Sequence, residues 1–313
     1  MASDSTPQQS RDFGKFGWQG INLTVPTEWE LISTSGDFSS GYASLADQSR
    51  PRLQIKWDTA DKETDPGGTV SRYVREVRKK AKKEGIELSV ERHLNLASHR
   101  DKKVETYEWV GSERGLGMVA NCGGCERIVH LAVLGEPEEQ LRNLARTVFA
   151  SLTDHPEEGG HRWKFYDVLF MSPAEIPLKR AHLKTGCIRL LFEKKGRQLE
   201  FVRVSLAEVL LGRQDLEEWF SEFYESELKH WGANITDRNW KEHAGLAVEG
   251  EPPLIFNPGR LLGRRKTFRA AVWHCAPSNR IFIVRYSGRG TDAETFREAV
   301  SGTACCNQET SEK

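Results

Sequence analysis

The sequence predicts an α+β fold: two tandem α/β/α sandwich domains with mostly antiparallel sheets, related by internal duplication. Three observations carry this expectation. First, NCGGCERIVHLAVLG (121–135) matches HCAPSNRIFIVRYSG (274–288) at a shift of 153 residues. Second, apolar and polar residues alternate with period two over long stretches of both halves, as strands do, and helical stripes interrupt them. Third, TDHPEEGGH (153–161) separates the halves with proline, glycine and polar residues that break regular structure. The 313 residues also suit about two domains at roughly 150 residues each.

The matching stretch superposes Cys122 on Cys275, Arg127 on Arg280, Ile128 on Ile281 and Gly135 on Gly288. A helix is expected after each. Leu141, Leu144, Ala145 and Val148 line the first, and Phe296, Ala299, Val300 and Thr303 line the second, at a shift of 155 with two extra residues in the turn. Upstream, VPTEWEL (25–31) lies over SPAEIPL (172–178) at a shift of 147, and RLQIKW (52–57) and CIRLLF (187–192) both alternate as strands. Long amphipathic helices correspond as well: Val70, Tyr73, Val74 and Val77 form one stripe, and Leu216, Trp219, Phe220 and Phe223 the other. The domains are placed at 13–153 and 161–304, with polar termini expected to be disordered.

Within each copy the order is strand, proline-containing turn, two or three strands, long helix, extended β region, final helix. The segment from Glu87 to Cys122 alternates too steadily for a helix. Asp215 with Glu218 forms a capping box for the second long helix. Ser205 with Glu208 marks a short helix before it, and Pro137 suits a first helical position, where its missing N–H costs nothing.

GINLTVPTEWEL (20–31), a short strand followed by Val25-Pro26 and Trp29, then strands and one long helix, resembles the PsbP-like superfamily. That group includes photosystem extrinsic subunits and a small Ran-binding nuclear import factor. The layout of both halves shares the likeness, although Ile176 stands where the second copy would carry the Trp. The resemblance implies small α/β/α domains that bind other macromolecules without catalysis, and it carries over no catalytic residue.

Composition narrows the function. With 45 basic and 45 acidic residues, the chain has no global pull toward nucleic acid or anionic lipid. The opening MASDSTPQQSRDFG has neither a basic nor an apolar region of a secretory signal, and no apolar run approaches the roughly 18 residues of a membrane span. Six cysteines are ordinary for a reducing cytosol, so a cytoplasmic location is expected.

Cys122 and Cys125 form a CxxC. A redox CxxC needs its first Cys at a helix N-terminus, whereas here Gly123-Gly124 suggests the turn of a β-hairpin. A zinc site needs four ligands, of which Cys122 and Cys125 supply half; Cys305 and Cys306 could complete a site only if folding brings them near. Both halves share Cys and Arg flanking four loop residues, Cys122 with Arg127 and Cys275 with Arg280, a pattern read as a packing and loop-anchoring device and as a candidate binding motif. HCAPSNR (274–280) has four residues between Cys and Arg and runs into a strand, unlike a phosphatase loop, which has five and opens a helix. The nine histidines show no i, i+4 metal pair, and no P-loop, GxGxxG or GxSxG occurs. Arg75, Arg78, Lys79, Lys80, Lys82 and Lys83 crowd the first long helix, and Arg260, Arg264, Arg265, Lys266 and Arg269 crowd the approach to a late strand. Without interleaved aromatics these clusters favour solvent or an acidic protein over nucleic acid. The expected function is therefore a non-catalytic tandem-domain binding or adaptor protein with a protein partner, no membrane and no cofactor. The alternative is a metal- or thiol-dependent protein using Cys122 and Cys125, with zinc as the metal.

Overall fold

Alternating burial along the strands builds two units. The computed structural model describes residues 11–156, 160–252, 266–289 and 293–306. The chain divides into Met1–His155 with Lys164–Tyr166, and Pro156–Trp163 with Asp167–Lys313. Every registered strand pairing is antiparallel, so mostly antiparallel sheets with helices form a mixed α and β protein. Among the described residues no helix is long and apolar enough to cross a membrane.

In the first unit β1 (Phe13–Trp18) and β2 (Ile21–Pro26) form a hairpin. Then come β3 (Glu30–Gly36), β4 (Gly41–Ala46), β5 (Pro51–Thr59), α1 (Pro66–Glu84), β6 (Ser89–Arg92), β7 (Lys102–Val110), β8 (Arg114–Cys122), β9 (Arg127–Gly135) and α2 (Arg142–Ala150). The sheet order is β3-β4-β5-β9-β8-β7-β6. Helix α1 starts where Asp65 accepts hydrogen bonds from the Gly67 and Gly68 N–H groups, both at 3.0 Å. Its stripe of Val70 and Val74 packs on Tyr107, Trp109, Val119, Ala132 and Leu134, with Tyr73 and Val77 at the margin. Fully burying one such valine contributes about 1.5–3 kcal/mol. The GLG at 115–117 lies in β8, where Tyr107 faces Gly117 and Trp109 faces Gly115 across the ladder. A Cβ at Gly115 would come within 2.0 Å of the Trp109 ring, so the glycines let the β7 aromatics lie across β8.

After β10 (His161–Phe165), which straddles the division, the second unit has β11 (Val168–Ser172), β12 (Leu178–Lys184), β13 (Cys187–Lys194) and β14 (Arg197–Ser205) before three short helices, α3 (Ala207–Leu211), α4 (Leu216–Phe223) and α5 (Glu225–Trp231). Then follow β15 (Asn234–Asp237), β16 (Gly245–Gly250), β17 (Lys266–Cys275), β18 (Arg280–Arg289) and α6 (Ala293–Ser301). The sheet order, β12-β13-β14-β18-β17-β16-β15, repeats that of the first unit position for position. The proline turns correspond too. Trp29 N–H donates to the Pro26 carbonyl at 3.0 Å and Ile176 N–H to the Pro173 carbonyl at 3.2 Å, and both side chains are buried.

Four expectations need correction. The second long helix is two helices. The Asp215–Glu218 capping box is present, but the backbone breaks at Tyr224, whose φ is −120°; there its phenol donates to Glu200 Oε2 at 2.8 Å in the core. The short helix before it opens on Leu206, and Glu208 N–H is capped by Asn279 Oδ1 at 2.9 Å rather than by Ser205. Pro137 lies in a turn, since α2 begins at Arg142. Finally, the buried faces of the last helices, Leu144, Ala145, Val148 and Phe149 against Thr295, Phe296, Ala299 and Val300, match at a shift of 151, one helical turn away from 155. The termini expected to be disordered, the first dozen residues and the last seven, lie outside the described residues apart from residues 11 and 12, as do residues 157–159 of the separating segment.

Candidate metal centres and a cationic cleft

Strand β8 ends on Cys122, and the chain turns through Gly123, Gly124 and Cys125 before β9 begins at Arg127. The thiol of Cys122 is fully buried. Four residues beyond the end of α2, Asp154 and His155 arrive at the same corner, because Asn22 and Thr153 exchange backbone hydrogen bonds at 2.8 and 3.0 Å. Cys122, Cys125, Asp154 and His155 thus present ligand atoms that all lie within 4.8 Å of one another. His155 Nε2 is 3.1 Å from Cys122 Sγ and 3.5 Å from Asp154 Oδ1, and Cys125 Sγ is 3.5 Å from Asp154 Oδ2. Gly124 N–H donates to Cys122 Sγ at 3.4 Å, and a Cβ at Gly124 would sit 3.3 Å from His155 Cε1. The second glycine of CGGC therefore keeps space at the cluster as well as making the turn.

Lys102, 3% exposed in its side chain, approaches Asp154 Oδ1 at 3.0 Å and also pairs with Asp101. Burial alone would lower its pKa, yet these two carboxylates outweigh burial and raise it. Burial, then the nearby Asp154 and Cys122, push the Cys125 thiol up to about 12.

The second unit has a cluster at the corresponding corner. Cys275 ends β17 and is fully buried. Four residues beyond α6, Cys305 and Cys306 arrive after Ala304 N–H donates to the Leu169 carbonyl at 2.9 Å. His243, just before β16, completes the group, again with all ligand atoms within 4.8 Å. Cys306 Sγ lies 3.3 Å from His243 Nε2. Burial, then Cys275 and Cys305, push Cys306 up to about 12; burial and Cys275 raise Cys305, against the donor effect of the Trp273 indole.

Neither cluster has the form of a thiol protease-like triad. Such a triad uses one imidazole nitrogen for the sulfur and the other for the carboxylate. Here the single atom His155 Nε2 faces Cys122, Asp101 at 3.4 Å and Asp154. The raised thiols are also poor nucleophiles, because reactivity belongs to the thiolate.

Of the residues singled out in the sequence, Cys122, Cys125 and Cys275 enter these clusters, whereas Arg127 and Arg280 do not. Arg127 is 2% exposed, donates from Nη1 to the Gln19 carbonyl at 3.1 Å and lies 4.4 Å over the Phe38 ring. Arg280 pairs with Asp167, which also binds Arg203. Cys305 and Cys306 join Cys275, not the CxxC. Asp154, His155 and His243 escaped sequence reasoning. The first two become visible once the last helices are matched at 151, which places Asp154 on Cys305 and His155 on Cys306.

A separate cleft of ≈ 510 Å³ opens in the second unit. Arg238, Lys241, Arg269 and Arg297 line it together with Trp240 and Phe296, and Glu249 is its only acidic residue. Arg238 stacks 4.4 Å over Trp240, whose indole N–H donates to the Leu246 carbonyl at 2.8 Å. Lys241 Nζ donates to the Ser301 carbonyl at 2.9 Å, and burial lowers its pKa although the neighbouring Cys305 opposes the shift. Of the second basic cluster, Lys266 and Arg269 belong to β17, and Arg260, Arg264 and Arg265 lie outside the described residues. The basic residues of α1 are exposed along its outer face.

No family model matches the chain, and no curated protein matches it by sequence. Among solved structures it is similar to cyanobacterial PsbP (CyanoP) from Synechocystis sp. PCC 6803, at 13% identity and a TM-score of 0.36, over 48% of this chain and 96% of that one. It is also similar to the type VI secretion (T6SS) immunity protein TplEi from Pseudomonas aeruginosa. Complexed with "L" peptide, that protein aligns over 94% of this chain and 98% of its own, at 11% identity and a TM-score of 0.32. Its apo structure aligns over 95% and 97%, at 8% identity and a TM-score of 0.34. The resemblance to PsbP-like proteins noted in the sequence thus recurs in the structural comparison, as a weak likeness of general layout.

Proposed function

We propose that this chain is a non-catalytic binding protein of two duplicated α/β/α domains, and that its second domain receives an acidic segment of a protein partner in the Arg238–Trp240–Arg269–Arg297 cleft. The observation that carries this reading is the charge of the cleft: four cations against one carboxylate, set around an aromatic wall. A run of Asp or Glu side chains satisfies the guanidinium donors, and one apolar residue in such a segment fits against Trp240 and Phe296. The single exposed-edge tryptophan offers no ladder of stacking platforms, so single-stranded nucleic acid fits less well. The repeated sheet order supports the duplication. Six free thiols, five of them gathered in two clusters, suit a reducing compartment such as the cytoplasm.

The test uses fluorescently labelled peptides, one pool rich in Asp and Glu and one neutral. The acidic pool should bind more tightly, with affinity falling as salt rises, and Arg269→Glu with Arg297→Glu should weaken it by roughly tenfold or more. Equal binding of the two pools, or full binding by the charge-reversed protein, would refute the reading.

A further inference from the structure

We propose that each unit binds one zinc ion, the first through Cys122, Cys125, Asp154 and His155 and the second through His243, Cys275, Cys305 and Cys306. This goes beyond the binding function proposed above and does not depend on the cleft.

The argument begins with size. Zinc–ligand bonds of about 2.0–2.3 Å in a tetrahedron place ligand atoms about 3.3–3.8 Å apart. The separations from His155 Nε2, 3.1 Å to Cys122 Sγ and 3.5 Å to Asp154 Oδ1, and that of 3.3 Å between Cys306 Sγ and His243 Nε2 fall at or near that edge length, and each set of four ligand atoms lies within 4.8 Å. Hydrogen bonding explains the arrangement less well. One imidazole nitrogen can share one proton with one neighbour, yet His155 Nε2 faces a thiol and two carboxylates. Asp154 is 1% exposed, and its Oδ1 accepts no well-directed hydrogen bond despite the approach of Lys102. Lys102 answers the charge of this buried carboxylate, so thiols that lose their protons beside it need a further cation.

Charge points the same way. Two thiolates and a carboxylate, or three thiolates, carry three negative charges, and one divalent ion neutralises two of them. Lys102 stands beside the first cluster, between Asp154 and Asp101. A surrounding donor is also in place to orient a sulfur: Gly124 N–H points at Cys122 Sγ at 3.4 Å.

Position supplies the independent support. In both units one ligand ends the same strand of the sheet and two more stand four and five residues beyond the last helix. The fourth comes from different places, the hairpin turn for Cys125 and the approach to β16 for His243. A chance cluster of thiols would have no reason to be completed twice, by different residues, to the same count of four. Thiolate with imidazole selects zinc over calcium or magnesium, and each set supplies four protein ligands, as structural zinc sites do.

The experiment uses the full chain, purified under reducing conditions and stripped with a chelator, then titrated with zinc or cobalt ions alone. The wild type should take up about two equivalents of zinc, Cys125→Ser and Cys306→Ser about one each, and the double variant none. In a Cys306→Ser background only the first site remains. There Asp154→Cys should strengthen the thiolate-to-cobalt charge-transfer band by about half, as the ligand set goes from two sulfurs to three. The proposal is overturned if reduced, folded wild type takes up no stoichiometric zinc, or if either single variant with native circular dichroism still binds both ions. A Cys122–Cys125 disulfide in protein taken from a reducing lysate overturns the first site. An unchanged cobalt spectrum in Asp154→Cys overturns that residue as a ligand. Where a serine variant does not fold, the stripped wild type decides: two equivalents must re-enter.

Discussion

Arg127 and Arg280 occupy matching positions, yet the structure predicts different consequences for removing them. Arg127 Nη1 donates to the buried Gln19 carbonyl at 3.1 Å, and a charged donor of this kind contributes about 1.5–3 kcal/mol. Its position 4.4 Å over Phe38 adds about 0.5–2 kcal/mol. Against these stands the cost of burying a cation whose Nε and Nη2 make no hydrogen bond, a burial that also lowers its pKa. Allowing for that offset, Arg127→Ala should destabilise the first unit by about 2–4 kcal/mol, cavity included. Arg127→Met refills the volume without the buried charge and should cost about 1 kcal/mol. Arg280 is 28% exposed and Asp167 keeps Arg203 as a partner, so Arg280→Ala should cost the second unit about 0.5–1 kcal/mol. Hydrogen exchange read by mass spectrometry on peptides from β8–β9 and β17–β18 measures each unit in the intact chain. Equal losses for the two alanine variants would refute the burial argument. A Met variant as unstable as the Ala variant would show that the hydrogen bond to Gln19, not filled volume, is the anchor.

Two further outcomes follow from buried polar groups. His130 keeps some surface, but Tyr73 packs at 4.7 Å and its Nε2 is 2.6 Å from the Tyr107 hydroxyl; burial, then Lys56, bring it from 6.5 down to about 4. The folded state therefore resists a proton that the unfolded chain accepts, so stability of the first unit should fall as pH drops from about 6.5 to 4, by about 3 kcal/mol. His130→Phe should flatten urea-unfolding midpoints over that window, and a slope unchanged by the substitution would refute the assignment. Glu200 accepts from Arg189 at 2.8 Å, Tyr224 at 2.8 Å and Arg285 at 2.9 Å. Tyr224→Phe should cost about 1 kcal/mol, because Arg285 still serves Oε2, and Glu200→Ala about 3–5 kcal/mol, because Arg285 is left buried and unpaired. Equal losses in chemical denaturation would contradict this ranking.

The strands were legible because period-two alternation is local, and so was the hairpin: Cys122, the two glycines and Arg127 fall where the pattern put them. Three features resisted for identifiable reasons. A 3.6-residue stripe nearly matches itself after four residues, so the last helices could be superposed one turn out, at 155 instead of 151, and that slip hid Asp154 and His155. The break at Tyr224 answers a carboxylate on a distant strand, which no local window contains. His243 stands in sequence far from Cys275, Cys305 and Cys306, and only the pairing of β16 with β17 brings it to them.

Each cluster lies where the chain leaves the last helix of its unit. After α2 the chain is tied to the sheet by the Asn22–Thr153 bridge, and after α6 by Leu169–Ala304, each a single isolated β-bridge. Both tails then run past the tip of a hairpin whose first strand ends on a buried cysteine. A four-ligand clip at that corner joins residues 122 and 154, or 243 and 305, and so closes loops of tens of residues. Closing a longer loop removes more chain entropy, growing as the logarithm of its length. The same geometry explains why ligand identity can differ between units while the corner does not. What the fold needs there is a cross-link between hairpin tip and tail, and either three sulfurs with an imidazole or two sulfurs with a carboxylate and an imidazole supplies it.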